Sequence, residues 1–261
     1  MTDTVQLDGR VYLVTGAAGG IGRATAAVLL ERGAGGVCLT DIDAAAVEAA
    51  AADVPDSDRA FGIAGDVCQV EHARQVAATT LDRFGRLDGL VNNAGVVTLG
   101  AAFDLDPASV RRELDVNVTG TLVMAREVGR VLRSRGGGAI VNVASNAGKV
   151  GYPNMAGYNA SKAAVINLTR SLATEWAADG INVNAVCPGG VDTPMLAAVA
   201  RWLAPRIEAD ADDLLAGMGP AQLGRLVAPE EVARVIAWLL SDDAVIVRGQ
   251  AINVDGGDTP Y

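Results

Sequence analysis

In "YNASK", residues 158–162, a phenol and an amine stand four residues apart. On a helix, Tyr158 and Lys162 lie on one face a turn apart. An ammonium beside a phenol favours the phenolate and lowers a pKa of about 10. A tyrosine tuned in this way exchanges a proton with an alcohol oxygen near neutral pH. Ser145, at the end of an apolar run, offers a hydroxyl that can steady the same oxygen. The pattern Y-x-x-x-K occurs by chance on helices, but here lysine is scarce. Basic residues are nearly all arginine, and the only lysines are Lys149 and Lys162. Arginine does not replace a point charge on a thin stem. Lys149, near Gly148 and Gly151, reads equally as the edge of a substrate mouth and as plain surface.

A second group of residues suggests what such a tyrosine would work on. "TGAAGGIG" (15–22) sets four glycines between an apolar run and an alanine-rich helical stretch. Bare backbone at a helix N-terminus cradles a phosphate through its N–H groups. The spacing is neither G-x-x-x-x-G-K-[ST] nor G-x-G-x-x-G; Gly16, Gly20 and Gly22 give G-x-x-x-G-x-G. Asp41 follows 19 residues after Gly22, where a nucleotide-binding unit places a carboxylate for the adenosine ribose. Such a carboxylate repels a 2′-phosphate. Asp41 also reads as a helix cap, though Asp43 is equally suited to that task.

Apolar runs that alternate with helix-period segments must position these residues. Strands are expected at 11–15, 36–41, 59–66, 87–95, 138–145, 181–190 and in "QAINVDGG". Helices are expected at Ile21–Arg32, in "DAAAVEAAAADV", around His72, across 107–133, at 156–178 and at 229–240. Continuous apolar strands joined by helical crossovers give an α/β fold. The form expected is one Rossmann-type domain over residues 1–261, a doubly wound parallel sheet of about seven strands with helices on both faces. The polar stretches Gly16–Gly22, Asp41, Asp66, Asn92–Gly95, Ser145 and Pro188–Thr193 all fall at carboxyl ends of strands, and so converge on one site.

Bulk properties exclude several classes of function. The 261 residues are 50% apolar and 20% charged, as in a compact globule. A net charge of −10 argues against nucleic acid as a partner. No apolar run reaches the roughly 20 residues of a membrane span, and "MTDTVQLDGR" lacks the apolar core of a secretory leader. The expected address is the cytoplasm, where Cys38, Cys68 and Cys187 stay free thiols, mostly buried. One histidine, His72, builds no metal site; on an amphipathic helix among charged neighbours it is expected to face solvent.

With these residues in view, the chain resembles the short-chain dehydrogenase/reductase family, in its branch of about 250 residues. The likeness runs from "TGAAGGIG" through "NNAG" (92–95), Asn117 in "LDVNVTG", Ser145, "YNASK", "PGGVDTP" (188–194) and "DGG" (255–257). It implies Tyr158 as general acid/base, with Lys162 lowering its pKa and holding the nicotinamide ribose. Ser145 would orient the substrate oxygen, and Asn117 would hold a water linking Lys162 to solvent. Gly16, Gly19, Gly20, Ile21 and Gly22 would pass under the pyrophosphate. Asp41 would meet the adenosine ribose, Asp66 and Val67 the adenine, and Asn93 and Ala94 the adenosine side, with Ile42 and Gly95 also binding the cofactor. Val191 and Thr193 would hold the carboxamide, and Pro188 and Gly189 would also bind the cofactor. A basic residue often stands at the position of Gly19 in NADP users, so the resemblance points with Asp41 to NAD. It also implies a homotetramer, or a dimer, built on the 107–133 and 156–178 helices and the "DGGDTPY" end. Read as isolated residues, Asn117 could be a solvated polar residue and Asn92 a tie between strands.

The stretch 194–226 mixes apolar residues with an acidic cluster and is expected to form a substrate lid. A packed helical pair with solvated acids is the other reading. Val97, Asn146, Tyr152, Met155, Met195 and Trp202 should shape the substrate pocket, which suits a small-molecule secondary alcohol, polyol or cyclic ketone better than a charged acid. The expected activity is oxidation of such an alcohol or reduction of its ketone, with no metal. A non-catalytic NAD-binding sensor or scaffold on the same fold is the alternative.

Overall fold

The computed structural model describes residues 5–260; the first four residues and Tyr261, the last of "DGGDTPY", lie outside that range. β1 (Val11–Thr15) runs into α1 (Gly20–Glu31), β2 (Gly36–Asp41) into α2 (Ala44–Asp53), and β3 (Ala60–Ala64) into α3 (Val70–Phe84). β4 (Gly89–Asn92) leads to α4 (Pro107–Leu114) and α5 (Thr121–Ser134), joined by a π-helical turn, Asp115–Gly120. Then follow β5 (Gly138–Val143), α6 (Ala156–Glu175), β6 (Ile181–Pro188), α7 (Pro194–Leu203), α8 (Ala211–Gly217), α9 (Pro229–Leu239) and β7 (Ala251–Val254).

All seven strands are parallel, in the order β3-β2-β1-β4-β5-β6-β7. Chain order reverses direction between β1 and β4, and a doubly wound sheet opens its ligand crevice at such a switch. Strand alternation divides the core in two. Tyr12, Val14, Val37, Leu39, Val91 and Val141 pack with α1 and α9, while Leu13, Cys38, Leu90, Ile140 and Val183 pack with α3 and α5.

Three expectations change here. His72 is buried, not solvent-facing. It shares one helix face with Ala73, Val76 and Thr80, and Gly65 leaves room for its ring. The Thr40 hydroxyl donates to the Ile63 carbonyl at 2.8 Å, so the 2.9 Å contact between Thr40 Oγ1 and His72 Nε2 assigns the ring proton to Nε2. Burial lowers the pKa of this histidine. Lys149 belongs neither to a substrate mouth nor to open surface, because its ammonium donates to Ala251 O (2.7 Å) and Asn253 Oδ1 (2.5 Å) on β7. The 107–133 helix is interrupted by the π turn, which re-aims Asn117 into the protein.

Cys38 and Cys187 are buried and Cys68 is partly so; all three are free. Asn92 ties strands together: its amide donates to Asn142 Oδ1 (2.9 Å), whose own amide donates to Thr169 Oγ1 (2.9 Å) on α6. Among the described residues no helix is long and apolar enough to cross a membrane, and no group of three His, Cys, Asp or Glu side chains could hold a metal ion.

Candidate active site

The carboxyl ends of β1, β2, β4, β5 and β6 surround a cavity of about 620 Å³. Its floor begins at the glycine loop. Gly16 adopts φ +61°, and a Cβ there would stand 2.7 Å from Ala94 Cα, so both conformation and space require glycine. Thr15 and Asn93 lock this loop to β4. Thr15 Oγ1 accepts from the N–H groups of Asn93 and Ala94 (3.0 Å each), and Asn93 Nδ2 donates to Thr15 O (3.0 Å) and Gly16 O (2.8 Å). Gly22 is pressed against Gly16 O and Asn93 Nδ2, leaving no room for a side chain. α1 starts at Gly20 with no side-chain cap and no acidic residue in its first turn. Its free N–H groups and the positive end of its dipole are therefore available to an anion.

Asp41 lines the same cavity and braces the loop: Oδ2 accepts from Ala18 N (3.1 Å) and Oδ1 from Asp43 N (3.3 Å). Asp43 is the cap of α2, accepting from Ala46 N at 3.0 Å. The two aspartates divide the two tasks. A narrow glycine cradle, unspent helix N–H groups and a carboxylate one strand away fit the pyrophosphate and ribose of a dinucleotide.

At the other end, β5 delivers Ser145 and the first turns of α6 deliver Tyr158 and Lys162. All three line the cavity, and the Ser145 hydroxyl stands near enough to the Tyr158 phenol to pull its pKa down. Lys162 Nζ stands 5.6 Å from the centre of the Tyr158 ring and donates to Val143 O at 2.8 Å. The expectation that this ammonium lowers the phenol is not met by the chain alone. Burial pushes Tyr158 up to about 12, against a downward pull from the Ser145 hydroxyl and with an upward push from Glu113. Burial also brings Lys162 down to about 8. A phenol working near neutral pH needs further positive charge beside it.

Asn117 is buried, which removes the solvated reading. Its amide donates to Val96 O and Ser161 Oγ (2.9 Å each), and its Oδ1 accepts from Val96 N at 2.8 Å. It thus ties the segment after β4 to the helix of Tyr158 and Lys162.

Of the remaining expected residues, Gly19, Gly20, Ile21, Ala94, Gly95, Pro188, Gly189, Val191 and Thr193 line the cavity, as do Val97, Asn146, Tyr152, Met155 and Met195. Ile42, Asp66 and Val67 do not. Ile42 is exposed, Asp66 turns its carboxylate to Cys68 N (2.9 Å), and Val67 is buried against Gly120. Trp202 is also outside: the Arg206 guanidinium covers its ring at 3.6 Å, and only other residues of α7, such as Leu196 and Val199, reach the cavity. Sequence reading missed Met218 from the end of α8 and Asp258 from the turn after β7, both in the wall.

Glu113 was missed as well. It is fully buried, Oε1 accepts from Thr98 N at 2.6 Å, and Oε2 has no partner. Burial raises its pKa. Such a carboxyl contributes full stability below the ordinary glutamate range and loses it as pH rises through the raised folded value. Glu113→Gln, which keeps the bond to Thr98 N, should therefore flatten the fall in melting temperature as pH rises above the ordinary glutamate range. An identical slope in the variant would remove Glu113 as the cause.

A dinucleotide cradle that opens onto paired serine and tyrosine hydroxyls defines a nicotinamide-dependent oxidoreductase acting on alcohol or carbonyl groups. The profile of the family described as enoyl-(acyl carrier protein) reductase matches residues 16–259. The chain is 43% identical to cis-4-hydroxycyclohexanecarboxylate dehydrogenase of Sinomonas cyclohexanicum, over 96% of each protein. It superposes on the crystal structure of levodione reductase with TM-score 0.91 at 32% identity, covering 97% of this chain and 98% of that one. A variant of actinorhodin polyketide ketoreductase with NADPH also gives TM-score 0.91, at 35% identity and the same coverage. This chain belongs to the short-chain dehydrogenase/reductase family.

Proposed function

We propose that the protein is an NAD-dependent dehydrogenase that interconverts a secondary alcohol, of the cyclic, polyol or hydroxy-ketone type, and its ketone. The observation that carries this reading is the meeting of the Ser145 and Tyr158 hydroxyls in the cavity that Asp41 and the uncapped start of α1 also line. Gly16, Gly19, Gly20 and Ile21 would lie under the pyrophosphate, Asp41 would accept from the ribose hydroxyls, and Val191 and Thr193 would hold the carboxamide. Bound there, the cofactor would accept the hydride during oxidation and return it during reduction, and its oxidised form would add positive charge to the site. Ser145 holds the substrate oxygen, and Tyr158 takes its proton during oxidation and returns it during reduction. Lys162 holds the ribose and adds positive charge beside the phenol. Asn117 keeps the two helices and the strand end in register.

NAD over NADP is argued from Asp41, whose charge opposes a 2′-phosphate, and from Gly19, which offers no cation to it. The relative from Sinomonas cyclohexanicum acts, by its name, on a ring alcohol, in keeping with the apolar walls given by Met155, Met195, Leu196, Val199 and Met218. The segment 194–226 serves as a lid. Its base is closed where Val191 pairs with Val227, and Asp192 N donates to Val227 O at 2.9 Å. The family's homotetramer is part of the same reading. A sensor or scaffold has no use for a half-buried tyrosine set between a buried serine and a buried lysine.

The test is the absorbance of reduced nicotinamide, followed with NAD and separately with NADP across secondary alcohols, polyols and cyclic diols. A rise with NAD for at least one compound is expected. Silence from every compound, with NAD bound by calorimetry, would favour the sensor.

A further inference from the structure

We propose that Asp258 sets the charge of the substrate: it admits alcohols that carry a second hydrogen-bond donor away from the reacting carbon and rejects those that carry a carboxylate. The inference rests on the dehydrogenase reading above and names the substrate class within it.

Asp258 lines the cavity and is itself solvent-exposed. Its Oδ2 accepts from Tyr152 Oη (3.0 Å) and from Asn146 Nδ2 (3.0 Å), and the same Asn146 amide donates to Tyr152 Oη at 2.8 Å. Asn146 follows Ser145 in the chain, and the Ser145 hydroxyl lies 3.4 Å from Asn146 Oδ1. The carboxylate is therefore attached, through two cavity-lining side chains, to the residue that holds the substrate oxygen. Oδ1 takes no hydrogen bond from any described residue, which leaves an acceptor at the wall.

The backbone that carries Asp258 is held from several directions. The buried Asp255 accepts from Gly257 N (3.0 Å), Thr259 N (3.0 Å) and Thr259 Oγ1 (2.6 Å). Gln222 Nε2, in the lid segment, donates to Gly257 O at 3.0 Å. A carboxylate on so constrained a turn meets an incoming anion without being able to withdraw. Nothing in the wall offsets it. Among the described residues that line the cavity, the only cation is Lys162, which is buried and donates to Val143 O. An anionic substituent would face like charge with no nearby cation to offset it, whereas a hydroxyl would find an acceptor.

The experiment compares cis-4-hydroxycyclohexanecarboxylate with 4-(hydroxymethyl)cyclohexanol, a pair that differs in carboxylate against hydroxymethyl. In the wild type kcat/KM should favour the neutral diol by about tenfold or more, and less at high salt. Asp258→Asn should shrink that ratio by about tenfold. Tyr152→Phe, which keeps the charge but removes one of its donors, should preserve the preference. A wild type that prefers the carboxylate, or a ratio unmoved by Asp258→Asn, overturns the assignment.

If neither compound is turned over, the dehydrogenase reading is what suffers. The charge assignment is then read from binding of the pair to the NAD-loaded wild type and to Asp258→Asn by calorimetry. Tighter binding of the diol, reversed or abolished in the variant, upholds it; equal binding in both proteins, or none, overturns it.

Discussion

Tyr158→Phe should lose about 10²–10⁴ of kcat, the range carried by a positioned general acid or base, while NAD affinity stays within about threefold. The split follows from geometry. The phenol stands beside Ser145, on the substrate side, whereas the cradle is made by the glycine loop, Asp41 and the start of α1. Removing one oxygen leaves the cradle intact. The pH dependence gives an independent readout. Burial sets the free phenol at about 12, so oxidation should rise with pH as Tyr158 loses its proton and becomes the acceptor for the alcohol's. Reduction, which needs the protonated phenol, should fall along the same limb. The phenol should also ionise at lower pH with oxidised NAD bound than without it, because the chain's own residues leave it high. Tyrosinate absorbance, taken as the difference between wild type and Tyr158→Phe, would show this. Residual activity in the variant that keeps the wild-type pH limb would assign the proton transfer elsewhere.

Much of this site is legible because local chemistry announces it. β1 and β2 fall at the residues expected, since uninterrupted apolar runs end at Thr15 and Asp41 and the next residues cannot continue a buried strand. The Tyr158–Lys162 spacing is a fact of helical geometry, and the glycine loop needs bare backbone wherever it is placed. What escapes depends on distant packing. Asp258 is 112 residues from Asn146, and nothing about a turn after a glycine pair indicates which cavity it will face. Trp202 is a large apolar residue in a lid, yet Arg206, one turn on, holds it on the other face. Asn117 lies on a π turn, so a 3.6-residue period assigns its direction wrongly. His72 was decipherable: the spacing to Ala73, Val76 and Thr80 defines the buried face, while the charged neighbours Glu71 and Arg74 suggest the opposite.

Replacing Asp41 should move the ratio of kcat/KM for NAD over NADP by about 10²–10³. The loss of a charge-assisted hydrogen bond to the ribose accounts for about 1.5–3 kcal/mol, roughly ten- to a hundredfold against NAD. The rest comes from relief of repulsion on the 2′-phosphate side. The gain with NADP should be smaller than the loss with NAD, because no cation waits there: Gly19 faces open space, with nothing within 4 Å of where its Cβ would stand. Adding Gly19→Arg to the variant should supply that cation and complete the shift. The choice of substitution matters, because Asp41 also accepts from Ala18 N and Asp43 N and so holds the loop. Asp41→Asn keeps an acceptor for Ala18 and removes only the charge; Asp41→Ser removes both. If the ratio moves in Asp41→Asn, the charge itself is reading the cofactor. If only Asp41→Ser responds, by losing both cofactors together, the carboxylate acts through the loop and the preference for NAD has another source.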